Sequence, residues 1–273
     1  MKQVKAIVLR AAGINCDMET EYALELAGAK AERVHINRII EDKNVLDQYH
    51  ILVVPGGFSY GDDVAAGKIL ANQIVHHLYE PIKKFIKAGK LVLGICNGFQ
   101  VLVKVGILPG DDSITQGRHQ EVTITYNDSG KFEDRWVYLA PQTKKCIFIE
   151  TGKQIYLPVA HAEGKVVMKN ESTLEKLKSN GFIAFKYVDK NGNENDYPIN
   201  PNGSINSIAG LTDSTGRVLG LMPHPERYVR LTQHPHWSRL YRIRGTRDET
   251  RKTRDGDGMT IFINAINYVQ ENL

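Results

Sequence analysis

Cysteine is scarce in this chain, and the spacing of the few that occur excludes two classes of small domain. Three cysteines stand at positions 16, 96 and 146 of 273 residues, with no C-x-x-C or H-x-x-x-H pair in the sequence. A disulfide framework needs more cysteines, and a structural zinc site needs closely spaced ligand pairs. We therefore expect free thiols, no metal site and a cytoplasmic location.

Long apolar runs and an excess of one charge are also missing. No apolar stretch approaches the roughly 20 residues of a membrane span, and the run near the N-terminus is too short for a signal peptide. The formal net charge is +4, with 24% charged and 42% hydrophobic residues. This composition is typical of a soluble globular protein that lacks the basic surface of a nucleic-acid binder. We expect neither a membrane nor a nucleic acid as a partner.

Apolar runs alternate with helical patterns through the first 105 residues. The predicted strands cover residues 4–9, 31–36, 50–54 and 91–95, and the predicted helices cover residues 18–27, 67–77, 80–88 and 99–105. Continuous apolar strands in this arrangement predict an α/β fold, an open and mostly parallel sheet with helices on both faces. Ligands of such sheets bind beyond the carboxyl ends of the strands.

The second half of the chain has a different pattern. Short strands separated by turn residues are predicted at 121–126, 136–139, 147–150, 155–159, 165–168 and 184–188. They predict an antiparallel extension, followed by a buried strand at 218–221 and a closing helix at 260–269. Because no linker or repeat is evident, we predict a single domain over residues 1–273.

A cysteine ends the predicted strand at 91–95, within the sequence G-x-C-x-G at residues 94–98. This pattern indicates a sharp strand-to-helix corner with Cys96 at its apex, where the flanking glycines permit a tight backbone. The following helix N-terminus favours a thiolate, and the N–H of Asn97 can point at an oxyanion. A buried cysteine at an ordinary turn is the alternative, and this motif alone does not decide between them.

A histidine and a carboxylate follow the strand at 218–221, in the sequence M-P-H-P-E. Two prolines restrict the chain around His224, and Glu226 stands two residues later. This is the arrangement of a base and the group that orients it, with Cys96 as the nucleophile. By itself, an H-P-E sequence is more often part of a loop.

Paired glycines follow the strand at 50–54, in residues 55–63 (PGGFSYGDD). Their backbone N–H groups can approach a ligand closely because no side chain intervenes. One donor here and one at Asn97 would hold a tetrahedral oxyanion. A phosphate-binding turn or a simple helix entry is the alternative, although no Walker or G-x-G-x-x-G pattern supports a nucleotide site.

Taken together, these motifs resemble the class I (triad) glutamine amidotransferases, and specifically the glutaminase subunits of phosphoribosylformylglycinamidine synthases. The likeness is carried by G-I-C-N-G-F-Q (94–100), H-P-E (224–226) and G-G-F-S-Y-G-D (56–62). Further matching stretches are N-C-D (15–17), R-W-V (135–137), P-V-A-H-A-E-G (158–164) and N-P-N-G-S (200–204).

The resemblance implies a flavodoxin-like fold and a set of site residues. It makes Cys96 the nucleophile, His224 the base and Glu226 its orienting carboxylate. The residues implied to hold the oxyanion are Gly57 and Asn97, and those implied to contact glutamine are Phe58 and Gln100.

It also implies an activity and a partner. The subunit would hydrolyse glutamine to glutamate and ammonia without a cofactor of its own. A synthetase subunit, using ATP and Mg²⁺, would use the ammonia to convert formylglycinamide ribonucleotide to the amidine in purine biosynthesis. Participation of a small third subunit is left open. An enclosed path between the subunits is expected, since ammonia that escapes to water becomes unreactive ammonium.

A basic insertion at residues 229–258 departs from compact members of that family, where a helix soon follows H-P-E. Its cationic residues are Arg230, Arg239, Arg242, Arg244, Arg247, Arg251, Lys252 and Arg254. Trp237 offers an aromatic anchor of the kind found at interfaces. We predict that the insertion docks on the synthetase, with a solvated loop as the main alternative.

Three other functions share some of these features. A different class I amidotransferase would have the triad without G-G-F-S-Y-G-D. A cysteine peptidase or chaperone with a similar corner usually carries histidine directly after the cysteine, where this chain has Asn97. A binding module would not need a nucleophile, base and orienter together. Outside the motifs, we expect Cys16 to be a packed thiol and His161 to serve either the partner face or the core.

Overall fold

A large mixed sheet organises the protein, whose computed structural model describes residues 3–110, 120–244 and 255–273. The strands are β1 (Lys5–Arg10), β2 (Lys30–His35), β3 (Ile51–Val54), β4 (Leu91–Ile95), β5 (Val122–Tyr126), β6 (Glu133–Pro141), β7 (Ile155–His161), β8 (Glu163–Met168), β9 (Ile183–Val188), β10 (Ile208–Thr212) and β11 (Val218–Leu221). The helices are α1 (Asp17–Ala27), α2 (Ile36–Glu41), α3 (Lys68–Gln73), α4 (Tyr79–Lys87), α5 (Asn97–Val105), α6 (Glu171–Ser179), α7 (Trp237–Arg244) and α8 (Met259–Asn272).

The strand order of the large sheet is β2-β1-β3-β4-β11-β10-β9-β6-β7, and β5 pairs with β8 in a separate antiparallel ribbon. The pairs from β2 to β11 are parallel, and the pairs from β11 to β7 are antiparallel. The predicted fold class, a mostly parallel sheet with an antiparallel extension, is therefore confirmed. Strand β11 joins the two halves.

The central strands are apolar throughout because neither of their faces meets water. Every residue of β3, β4 and β11 is buried, as expected of parallel strands covered on both sides. The surrounding helices also pack on one another, α1 against α8 and α3 against α5. None of the described helices combines the length and apolar character needed to cross a bilayer.

Some local predictions were wrong or incomplete. Residues 147–150 form a turn instead of a strand, because the Ile149 N–H bonds back to the Cys146 carbonyl while the Phe148 side chain stays buried. Helices α2, α6 and α7 and strand β10 were not predicted. Helix α6 begins where the Asn170 side chain accepts the Thr173 N–H at 3.0 Å, and β10 enters the sheet between β9 and β11.

Candidate active site

Three neighbouring parallel strands bring the predicted site residues to one edge of the sheet. Gly57 follows β3, Cys96 follows β4 and His224 follows β11, and the strands lie side by side in that order. Because parallel strands end at the same edge, loops separated by more than a hundred residues meet there. The structure thus brings together the residues that the sequence predicted as nucleophile, base and oxyanion donor.

Cys96 occupies the corner between β4 and α5 in a strained backbone conformation. Its φ is 50° and its ψ is −105°, and the side chain is 5% exposed. A sparsely populated backbone conformation of this kind is costly in a non-glycine residue, and such residues cluster at functional sites. This strain lies on the cysteine itself, since neither Gly94 nor Gly98 has a positive φ.

The flanking glycines have a different use, which is close packing. A Cβ atom on Gly98 would stand 1.8 Å from the carbonyl oxygen of Val54, and one on Gly94 would stand 2.8 Å from the carbonyl oxygen of Gly98. Helix α5 therefore starts directly against the end of β3. This contact holds the corner beside the loop that contains Gly57.

His224 and Glu226 form a fully buried pair. Nδ1 of His224 lies 2.6 Å from Oε1 of Glu226, and the backbone N–H of His224 donates to the carbonyl of Pro158 at 2.8 Å. Burial alone would lower the pKa of His224, but the Glu226 carboxylate, with further contributions from Cys96 and Cys16, raises this pKa well above its ordinary value. The imidazolium form is therefore favoured beside the cysteine.

Cys96 and His224, the predicted nucleophile and base, are neighbours without a formed hydrogen bond between them. The Cys96 thiol donates to the carbonyl of Ala160, with Sγ and O 3.7 Å apart. Nε2 of His224 is buried and makes no hydrogen bond within the described part of the chain. Catalytic hydrogen bonds are often long or poorly aligned before substrate binds, so this geometry is compatible with His224 acting as a base toward Cys96.

The two predicted oxyanion donors, Gly57 on a loop and Asn97 at the start of α5, lie on segments that are tied together. Gly57 has a φ of 138°, and a Cβ there would stand 2.7 Å from the backbone nitrogen of Asn15. Asn97 is the first residue of α5, where a backbone N–H has no partner inside the helix. Its side-chain oxygen accepts the N–H of Ser59 at 3.3 Å, which fixes the corner relative to the glycine loop.

The predicted glutamine contacts differ in their availability. Phe58 is 45% exposed at the rim of the site. Gln100 is buried, and its amide already accepts from Asn97 at 2.9 Å and donates to the backbone carbonyl of Glu163. These two bonds leave one N–H and one oxygen lone pair of the Gln100 amide unused, and its predicted contact with glutamine stays a prediction.

Sequence reasoning missed the position of Cys16. It was predicted to be an ordinary packed thiol, but its sulfur lies beside the His224–Glu226 pair and accepts an N–H from Arg227 at 3.1 Å. The N-C-D stretch at 15–17 was noticed for its resemblance alone. Nothing in it indicates contact with a histidine 208 positions away.

His161 is a second buried histidine close to the site. Its Nδ1 lies 3.1 Å from Oδ1 of Asn127, and burial, assisted by the charge of His224, lowers the pKa of His161 to about 3. Because the amide nitrogen of Asn127 donates to the carbonyls of Lys131 and His161, its oxygen must face the imidazole. His161 is therefore neutral, with its proton on Nδ1.

Metal binding by this cluster has an electrostatic obstacle. Sγ of Cys16, a ring nitrogen of His224 and a carboxylate oxygen of Glu226 lie within 4.8 Å of one another and are all possible ligands. The Arg227 guanidinium, however, already places a positive charge against the sulfur. The short bond between His224 and Glu226 also occupies one ring nitrogen.

The described part of the basic insertion covers residues 229–244 and 255–258. His234 is buried against the ring of Trp136, 4.8 Å between centroids, whereas Trp237 is 45% exposed at the start of α7. The side chains of Arg242 and Arg244, and all of Arg247, Arg251, Lys252 and Arg254, lie outside the described residues. The insertion and the single-domain boundaries stay predictions.

A family model and two similar proteins agree on the family of this chain. The model of the CobB/CobQ-like glutamine amidotransferase domain matches residues 3–269. A Dehalococcoides mccartyi phosphoribosylformylglycinamidine synthase subunit PurQ is 46% identical over 99% of this chain and 100% of its own length. A Methanococcus maripaludis PurQ subunit is 39% identical over 97% of both chains.

A solved structure gives the same result. A chain in the structure of PurLQS from Thermotoga maritima is 30% identical and superposes with a TM-score of 0.69, covering 98% of this chain and 100% of its own. The match is to a whole subunit, and the 46% identity to the bacterial PurQ subunit spans 99% of this chain. The chain therefore belongs to the CobB/CobQ-like glutamine amidotransferase family, within the group of PurQ subunits.

Proposed function

We propose that this protein is the glutaminase subunit of a phosphoribosylformylglycinamidine synthase and that Cys96, His224 and Glu226 are its catalytic triad. One observation carries the assignment: a strained cysteine at a strand-to-helix corner stands beside a buried histidine, which is bonded to a carboxylate at 2.6 Å. A nucleophile, a base and an orienting group are thus present together. The relatives named as PurQ subunits support the wider role in purine biosynthesis.

In the first half-reaction, the Cys96 thiolate attacks the side-chain amide carbon of glutamine. The negative charge that develops on the amide oxygen is held by backbone N–H groups of Gly57 and Asn97. The His224 imidazolium then gives its Nε2 proton to the amide nitrogen, the carbon–nitrogen bond breaks and ammonia leaves. The product on the enzyme is a glutamyl thioester.

In the second half-reaction, neutral His224 takes a proton from water, which attacks the thioester carbon. The carbon–sulfur bond breaks, glutamate leaves and the thiolate–imidazolium pair is restored. Glu226 holds Nδ1 of His224 throughout and stabilises the imidazolium that forms. The subunit needs no cofactor for these steps.

Ammonia is transferred to a synthetase subunit, which uses ATP and Mg²⁺ to make the amidine. The match with a chain of the Thermotoga maritima PurLQS structure supports a complex of this kind. A cytoplasmic location follows from this pathway, and a small third subunit stays an open prediction. Because ammonia is lost to protonation in water, a path enclosed by the docked partner is part of the proposal.

The function is tested by glutamate release from glutamine, measured with and without the synthetase subunit. We expect the complex to couple glutamate release to amidine formation one for one. Glutamate release that is not stimulated by this synthetase would indicate an amidotransferase with a different partner. No glutamate release in either case would contradict the assignment.

The basic insertion is expected to dock on the synthetase. Charge reversal at Arg242, Arg244 and Arg247 should weaken complex formation, more at low salt than at high salt, because screening is weaker there. The measurement is affinity for the synthetase at two salt concentrations, beside any basal glutamate release, which should survive.

Three lysines on α4, Lys83, Lys84 and Lys87, provide a matched control for this charge reversal. Helix α4 leads into the start of β4, at the opposite end of the strand from Cys96. Reversal of these charges should leave the affinity unchanged. Equal affinity for both triple variants and the unmodified protein would favour a solvated insertion.

A further inference from the structure

Cys16 lies at the centre of the site but has no part in the steps above. The residue is fully buried, and its Sγ lies within 4.8 Å of a ring nitrogen of His224 and a carboxylate oxygen of Glu226. The N–H of Arg227 donates to the sulfur at 3.1 Å. The thiol therefore contacts the catalytic pair on one side and a cation on the other.

The backbone around Cys16 holds the sulfur in a fixed position. The Cys16 N–H donates to the carbonyl of Gly56 at 3.3 Å, and its own carbonyl accepts the hydroxyl of Thr20 at 2.6 Å. Its thiol hydrogen is directed to Oδ1 of Asn15, 3.3 Å from Sγ. The residue is thus tied both to the start of α1 and to the loop that contains Gly57.

Gly56 shows how closely the sulfur and the imidazole pack. A Cβ at this position would stand 2.8 Å from Cε1 of His224 and 3.2 Å from Sγ of Cys16. The absence of a side chain at Gly56 lets the thiol and the ring share one small space. Even a methyl group there would displace one of them.

The charged groups around His224 determine how the Cys16 sulfur affects the protonation of the imidazole. Glu226 accepts at Nδ1, Cys96 lies on the nucleophile side, and the cation of Arg227 contacts Cys16. Burial raises the pKa of the Cys16 thiol, so the sulfur is neutral at working pH. A neutral, polarisable sulfur against an imidazolium favours the charged ring without competing with Cys96 for the proton.

We propose that Cys16 is a positioning residue for His224, holding the imidazole against Glu226 and favouring its protonated form. The inference rests on the proposed glutaminase function. In this arrangement the loop 13–16 supports both the glycine loop, which carries an oxyanion donor, and the base. Its backbone fixes the glycine loop through the bridge between Ile14 and Gly57, and its thiol fixes the base.

The test uses Cys16→Ala and Cys16→Ser in the complex with the synthetase subunit. The alanine variant should have a lower kcat, and its KM should change less than its kcat. The alkaline limb of its kcat/KM profile should move to lower pH by about half to one unit, because the imidazolium is less favoured. The serine variant, which keeps a polar atom in place, should recover part of that shift.

A second readout does not depend on glutamine turnover. The rate at which iodoacetamide alkylates Cys96 reports its thiolate, which the neighbouring imidazolium stabilises. In Cys16→Ala the rise of this rate with pH should therefore move to higher pH, opposite to the alkaline limb of kcat/KM. Cys146→Ala is the matched control, since Cys146 is an equally buried thiol beside Phe148 and Thr212. It should lose stability without any shift of either profile.

Superimposable pH profiles for Cys16→Ala, Cys146→Ala and the unmodified protein, in both readouts, would overturn the positioning role. That result would leave the proposed glutaminase function intact. Failure of the function itself is seen separately, as glutamate release that persists when Cys96 is replaced.

Discussion

Replacement of Cys96 by alanine is expected to abolish glutamine-dependent synthesis by the complex while leaving ammonia-dependent synthesis unchanged. The nucleophile is lost, so no thioester can form, and glutamate release should fall by about 10⁴-fold or more. Added ammonia bypasses this subunit and still reaches the synthetase. The measurement compares amidine formation with glutamine and with an ammonium salt, using the same protein preparation.

Chemical labelling provides an independent check of the nucleophile. An electrophilic glutamine analogue should modify Cys96 alone. Cys16 and Cys146 are buried thiols, and burial raises the pKa of each, that of Cys146 to about 12. Modification of either residue in place of Cys96, or full activity of Cys96→Ala, would remove the assignment.

Replacement of Glu226 by glutamine is expected to lower turnover strongly without removing glutamine binding. The carboxylate raises the pKa of His224 and holds its Nδ1, so its loss weakens both the orientation and the charge of the imidazole. By comparison with other triads, kcat should fall by about 10⁴-fold, against about 10⁶-fold for His224→Ala.

The sign of the pH effect follows from the same contact. Without the carboxylate, the imidazolium is lost at a lower pH, so the alkaline limb of the residual activity should move to lower pH. The measurements are kcat and KM across pH and the affinity for glutamine in an inactive Cys96→Ala background. Equal losses for Glu226→Gln and His224→Ala would show that Glu226 has a more direct role.

Short-range features of the sequence determined much of this fold. The apolar runs that become β3, β4 and β11 were predicted close to their observed ends, since burial on both faces requires continuous apolar residues. The G-x-C-x-G corner and the H-P-E turn were located because a strand end, a reactive side chain and restricted backbone residues stand together in the sequence. Those signals extend over a few residues and do not depend on distant contacts.

Contacts between distant segments were decided by the tertiary structure. The place of β11 beside β4, which sets His224 next to Cys96, depends on pairing between strands more than a hundred residues apart. The contact of Cys16 with His224, the use of Gly98 against Val54 and the burial of His234 against Trp136 depend on the same assembly. A residue's own neighbours in sequence set its backbone preferences, but the groups that face its side chain are chosen by packing of the whole chain, which local patterns do not encode.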